Sequence, residues 1–431
     1  RKPKTSRLSR LWKKNSIFWG SQPRQLKALT GEIHLEIPRL HCKVCEKFFL
    51  LTESKQLSDF QSLKTMNITG ALRRIATLCG ASWPYQQAET VIRELTGIEV
   101  SHDHIKNLCE SEASIVAKGN QETYNSLYDE SLVDAVESLV DYLAYEDVEK
   151  STTVENRETQ QHSTESIPRQ SNIDRLYMGL DGVFIGEVSR KRYIEAKVGI
   201  VFTDERAEIS KGRNLLLNKQ YVGTCHTVSE FSQKLFCCAM EMGVDECEEL
   251  IVLGDGARWI WKIAETQYPK ATLILDWWHL KERVWETVDS LKQNHMANKD
   301  AVRWGRRLVR FLWHGNEKRA KKFIKELGKQ FNIEFPKTAA QRRKLDRKSL
   351  PRLYQYINNN SKSIVNYRAK KEAGYFISSV FAEKAIDILV CRRQKLRGMN
   401  WSRDGADNVL SLRELILNEE WENHWQTQMA A

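Results

Sequence analysis

The first regular alternation of apolar and polar positions along the chain, Gly31-Glu-Ile-His-Leu-Glu-Ile-Pro38, has the two-residue period of a strand. From Asn67 to about Ala117 the period becomes helical, and its centre divides into two units. Gln86–Leu95 carries apolar positions at helical spacing, Thr96–Val100 has the composition of a tight turn, and Ser101 is placed to cap a second helix through Ile105 and Leu108. This is a helix-turn-helix outline, in which His102, Asp103, Lys106 and Asn107 would lie near a DNA groove; two short helices of an ordinary bundle leave the same pattern. Between about Tyr145 and Ile173 the chain turns polar and acidic, as a linker or mobile loop does.

Strand texture returns at Leu176–Ile185 and Tyr193–Thr203, separated by the turn-like Ser189–Arg192, and Leu215–Val222 predicts a third strand. A helix over Val228–Met242, a short buried strand Glu249–Gly254, a helix Ala257–Gln267 and a second buried strand Ala271–Leu275 follow. Three meandering strands and then strand–helix–strand is the order of an RNase H-like α/β core. From Leu280 to about Lys370 only helices are expected, and a last helical stretch contains Glu383. The predicted organisation is a basic arm and zinc-ribbon-like Cys-x-x-Cys region over 1–60, a helical, helix-turn-helix-like region over 61–144, the acidic linker 145–173, the RNase H-like core 174–279, a large all-α basic insertion 280–372, and a catalytic-helix segment with C-terminal helices over 373–431.

Charge sharpens this division. The 431-residue chain has a formal charge of +11, but residues 1–30 hold nine Lys/Arg and no acid, residues 121–170 hold three against twelve, and residues 301–370 hold twenty against four, a local +16. A phosphate-tracking surface concentrates charge in this way, whereas solvated helix faces ordinarily interleave the two signs. Arg303, Arg306, Arg307 and Arg310 lie in one predicted helix and are the first candidates for phosphate contacts. Trp285, Trp304 and Trp313 divide between stacking on splayed bases and core packing, with core packing expected for at least two.

Nine mostly scattered cysteines do not look like a disulfide framework, and no run approaches the roughly eighteen apolar residues of a membrane span. The expectation is a cytoplasmic, nucleoid-associated protein with no membrane partner. Cys42-Lys-Val-Cys45 resembles half of a zinc ribbon. Its further ligands would precede Arg1 or be His34 or His41; otherwise Cys42 and Cys45 are reduced thiols.

Two acids sit where predicted strands stop. Asp181 lies in Gly-Leu-Asp-Gly-Val-Phe on the first strand of the core, and Asp255 in Val-Leu-Gly-Asp-Gly-Ala-Arg-Trp-Ile at the end of the fourth. Those strands are neighbours in an RNase H-like sheet, so the carboxylates would face each other. Magnesium or manganese takes such oxygen ligands and leaves room for phosphate oxygens, and two ions can serve both the attacking and the leaving oxygen. The glycines flanking Asp255 would let the backbone approach a substrate closely. Singly, each Asp-Gly is more often a turn; apolar strands before both favour a site.

Together with Leu-Asp276-Trp-Trp-His279, Ile-Ser-Ser-Val-Phe-Ala-Glu383-Lys-Ala, Arg393-Gln-Lys-Leu-Arg-Gly-Met-Asn-Trp401-Ser and Gly405-Ala, these segments resemble the bacterial insertion-sequence transposases of the ISKra and ISLre types, over about residues 30–425. The resemblance implies a three-carboxylate (DDE) transposase with Glu383 as the final carboxylate, on a helix leaning over the two strand aspartates. It implies two magnesium or manganese ions, double-stranded DNA (element ends and target) as substrate, and a homo-oligomer assembled on that DNA. It also places Asp276 and His279 beside the active site, where the histidine would contact the scissile phosphate or a flanking base; structural polar residues are the other reading. The chain departs from the pattern at Ser378-Ser379-Val380, where such proteins usually carry a Gly-Ser-Gly turn. Asp255 and Glu383 are 128 positions apart, far more than a simple core requires, and the excess is the basic insertion. A DNA-binding protein that no longer cuts, and an RNase H-like nuclease that cuts without joining, are the alternatives.

Overall fold

The computed structural model of the chain describes residues 16–44, 46–50, 67–127, 173–190, 192–210, 213–336, 338, 341 and 343–430. Cys45 and most of the predicted acidic linker lie outside the described residues. The chain divides into two compact units, residues 1–118 with 408–431, and residues 119–407.

In the first unit, β1 (Ser16–Ala28), β2 (Gly31–Cys42) and β3 (Phe48–Leu50) form an antiparallel sheet in that order. The predicted strand, Gly31–Pro38, is the first two thirds of β2. β1 carries no alternation to announce it, because its register shifts between Phe18 and Ser21 and Pro23 interrupts its polar run. Helices α1 (Gly70–Ser82), α2 (Tyr85–Thr96) and α3 (His102–Leu127) follow. Gly97 ends α2 in the left-handed conformation, and Ser101 Oγ accepts from the amide of His104, so the predicted turn and cap are present. Glu89 adds a second cap by accepting from the His102 amide, 3.0 Å, and it faces that residue's Nδ1 at 2.8 Å. Buried Leu72, Ile92, Ile105 and Leu108 pack with Leu412, Trp421 and Trp425 from the C-terminal end of the chain. Glu112, fully buried, is paired with Arg73 at 2.6 Å and His424 at 2.7 Å, so its desolvation is offset on both carboxylate oxygens.

The second unit is mixed α/β. Its five-stranded sheet runs β10-β9-β4-β5-β8, from β4 (Arg175–Gly186), β5 (Tyr193–Thr203), β8 (Lys219–Thr224), β9 (Glu249–Gly254) and β10 (Thr272–Leu275). β5 is antiparallel to β4 and β8, while β9 is parallel to β4 and β10. The single third strand predicted over Leu215–Val222 is instead two. β6 (Arg206–Ser210) and β7 (Arg213–Leu216) make a separate hairpin, and only β8 joins the sheet. The break falls at Leu217 and Asn218, whose backbones bond to Glu205 and Thr203 and turn the chain back into register with β5.

On one face of the sheet, Leu176, Met178, Leu180, Val201 and Val222 are covered by α4 (Val228–Glu241) and α5 (Arg258–Gln267) through Phe231, Leu235, Ile260 and Ile263. On the other face, Tyr177 and Phe202 stack at 5.2 Å and meet Phe376 and Phe381. Between β10 and those phenylalanines the chain makes α6 (Trp277–Asn294), α7 (Asn298–Trp313), α8 (Glu317–Gln330), α9 (Leu350–Asn359) and α10 (Tyr367–Glu372). Trp304 is buried against Phe323, and Trp313 packs on Trp277 and Tyr367, so both serve the core of these helices. No helix of the described residues is long and apolar enough to cross a membrane.

Candidate active site

Parallel pairing of β4 with β9 sets Leu180 opposite Gly254, so Asp181 and Asp255, each the next residue, project from adjacent strands. Each carboxylate is held by a local amide: Asp181 Oδ1 accepts from Gly182, 2.7 Å, and Asp255 Oδ1 accepts from Ala257, 2.8 Å. The Asp255 carbonyl also accepts from the Tyr356 hydroxyl on α9, 2.6 Å.

Gly256 has φ +98°, and a Cβ there would lie 2.9–3.0 Å from Asn360 and Tyr356. A Cβ at Gly254 would lie 2.9 Å from Ile260. The turn and the packing therefore each call for glycine at these two positions.

Glu383 lies on α11 (Val380–Ile386), which packs against the same end of β4. Ala382 of α11 sits over Gly179 of β4, where a Cβ would make an ordinary 3.4 Å contact with the Ala382 Cβ and a tighter one, 3.2 Å, with Ile200. Half exposed, Glu383 meets His279 of α6, with Oε1 and Nε2 3.2 Å apart. Burial pushes the Asp181 carboxyl up from its ordinary 3.8 to about 6; Asp255 and Glu383 add to the rise, while its Gly182 amide bond and His279 oppose it. The three predicted carboxylates and His279 thus share one electrostatic neighbourhood.

Asp276 organises this neighbourhood from below. It is fully buried, and its Oδ1 caps α6 by accepting from the His279 amide, 2.9 Å. Its Oδ2 accepts from Ser378 Oγ at 3.2 Å, from Ser379 Oγ at 2.6 Å and from the Ser379 amide. One carboxylate therefore positions both the helix bearing His279 and the turn leading to Glu383. Ser378, which departs from Gly-Ser-Gly, and Ser379, which keeps its serine, both supply hydroxyls to it. Asp276→Ala should leave four donors without their acceptor and destabilise the protein by about 3 kcal/mol, read by denaturant unfolding. Asp276→Asn, which still accepts at Oδ1, should cost less.

The segment Arg393–Trp401 does a different job. Trp401 donates its amide to Gly186 and accepts from Val188, its indole donates to Gln394, and buried Gln394 donates to Ala406. These bonds anchor the end of β4 beyond Asp181. A residue missed from sequence is Trp278: it follows buried Trp277, precedes His279, is 59% exposed, and has Lys281 Nζ 4.8 Å from its ring centroid. A Trp-Trp pair at a helix start gives no sign of which ring faces solvent.

As donors, the carboxylates of Asp181, Asp255 and Glu383 suit a hard divalent cation. Among the described residues, no group of three or more His, Cys, Asp or Glu already stands in metal-holding geometry, and Glu383 is turned to His279. The same crowding yields a prediction independent of any ion. The folded protein keeps the Asp181 proton up to about pH 6 and the unfolded chain only to about 4, so stability falls as pH rises between them. Asp181→Asn should raise stability at pH 7.5 by on the order of 2 kcal/mol, with the gain vanishing near pH 4.

At the other candidate positions, Lys106 and Asn107 are exposed on α3, with Lys106 3.8 Å from Glu110. Arg303, Arg306, Arg307 and Arg310 are all exposed on α7. Cys42 closes β2. His34 lies eight residues back along the same strand, roughly 26 Å away at strand rise, and cannot share a tetrahedral site with it. His41 points to the opposite face from Cys42, against Trp19 and Phe48.

The model of an uncharacterised protein family, UPF0236, matches residues 135–423, about two thirds of the chain and all three carboxylates. No curated protein matches the sequence.

Proposed function

The chain belongs to the uncharacterised protein family UPF0236, and from the site its residues build we propose that it is a DDE transposase with an RNase H-like core. The observation that carries this reading is the shared electrostatic neighbourhood of Asp181, Asp255, Glu383 and His279, where the parallel pairing of the interior strands β4 and β9 ends. A central β4 flanked by antiparallel β5 and parallel β9 supports the core assignment. The proposed substrate is double-stranded DNA at element ends and target, and a homo-oligomer pairs two ends.

Asp181, Asp255 and Glu383 would hold two magnesium or manganese ions, which supply activation of the attacking oxygen and charge neutralisation at the leaving one. The protein's part is placement. Asp181 and Asp255 are fixed by their strands and amide bonds, and the Asp276 tie fixes the turn from which Glu383 reaches them. His279, released from Glu383 when that carboxylate turns to a cation, would donate to a phosphate oxygen. The reaction would be two in-line displacements at phosphorus: water attacks the phosphodiester at the element end and the 3′-oxygen leaves as a hydroxyl, and that 3′-hydroxyl then attacks a target phosphodiester, whose own 3′-oxygen leaves.

The test is incubation of purified protein with magnesium or manganese and DNA carrying the element's own ends. Cleavage followed by joining to a target supports the proposal. Cleavage without joining would assign a nuclease, and binding without cleavage a non-catalytic DNA-binding protein. Zinc at Cys42 and Cys45 remains part of the proposal only with ligands from outside the described residues, and metal analysis of the full-length protein decides it.

A further inference from the structure

The sheet of the first unit carries an exposed ring cluster that the carboxylate site does not use. Register sets His41 opposite Ile17 on β1 and opposite Phe48 on β3. Trp19, at the β1 bulge, brings its ring to 5.5 Å from His41 and 5.9 Å from Phe48, and His41 and Phe48 are 4.7 Å apart. Trp19 is 58% exposed and Phe48 44%. The Arg39 guanidinium lies over Phe48 at 4.5 Å, and Arg39, Lys43 and Lys47 are all exposed.

An occupant must therefore offer flat π faces to the rings and negative charge to the three cations. Unpaired bases on a phosphodiester chain offer both; a duplex keeps its base faces stacked inside and offers only phosphates. The strand that delivers Trp19 is preceded in sequence by residues 1–15, which hold seven Lys/Arg and no acid. We propose that this face binds single-stranded nucleic acid by stacking bases on Trp19 and Phe48. The inference is independent of the catalytic reading.

The test measures fluorescence anisotropy of labelled oligo-dT, oligo-rU and a duplex with full-length protein in EDTA, where metal-dependent cleavage plays no part. The double variant Trp19→Ala/Phe48→Ala should lose roughly tenfold or more in single-strand affinity and keep its duplex affinity. Trp19→Phe/Phe48→Tyr should retain single-strand binding, and the dT and rU arms tell whether the sugar is read. Circular dichroism melting checks that each variant is folded. Unchanged single-strand affinity in a folded double variant would overturn the proposal, as would equal losses on single strand and duplex. A double variant that dissociates in sedimentation velocity without losing strand preference would assign the face to a second copy of the chain and overturn it too.

Discussion

Asp181→Asn, Asp255→Asn and Glu383→Gln should each reduce metal-dependent DNA cleavage by on the order of 10³-fold while leaving DNA binding in EDTA within about twofold of wild type. The amides keep the size of the side chains and can still accept the Gly182 and Ala257 amides, so the local turns persist. What disappears is the negative charge that a divalent cation requires. The three variants should fail alike, because ligands of one shared centre act as a unit and their losses do not add. A double Asp181→Asn/Glu383→Gln variant should therefore be little worse than either single change. His279→Ala should cost less than any carboxylate, since its partner Glu383 remains. Wild-type-like cleavage in any one carboxylate variant removes that residue from the site; full cleavage in all three sinks the catalytic reading.

The parts of this site legible in the sequence are those whose signal is local. Leu250–Leu253 is an unbroken apolar run ended by Gly-Asp-Gly, and the predicted strand Glu249–Gly254 forms β9 with those bounds. Asp255 is legible as a strand-end acid for the same reason, whereas Asp181, expected where a strand stops, lies in the middle of β4, and only the parallel pairing with β9 stops beside it, at Leu180. Asp276 reads from sequence only as a polar residue near a histidine; its role as a clamp depends on Ser378 and Ser379, 102 and 103 positions later. That is why Ser378 in place of a glycine looks like a defect until the fold brings it to a buried carboxylate. Leu215–Val222 reads as one strand because its apolar content hides the turn at Leu217 and Asn218, which is set by backbone bonds to Glu205 and to Thr203 at the end of β5. β1 was invisible because a strand with a bulge and mostly polar side chains has no period to detect.

The second large effect concerns α7. Its buried positions Ala301, Trp304, Gly305, Leu308 and Leu312 form one stripe, and Arg303, Arg306, Arg307 and Arg310 occupy the exposed side between them. Arg307 is propped over the rings of Phe311 and Phe323, at 5.7 and 5.0 Å, which holds its guanidinium out from the helix at little entropic cost. Under the DNA-binding proposal these four cations meet phosphates, and each contact releases condensed counterions, adding about 0.9 to the slope of log affinity against log salt. Changing all four to Gln should lower that slope by about 3.6 and weaken duplex binding by roughly 10³-fold at 0.1 M salt. The stripe that faces the core is untouched, so thermal stability should hold, and magnesium binding at the three carboxylates should be unaffected. Wild type and the quadruple variant are compared on the same duplex across a salt series. If affinity and slope are both unchanged, α7 is an ordinary solvated face and DNA is gripped elsewhere on the chain. If affinity falls but the slope does not, the arginines act on the protein's own packing and not on phosphate.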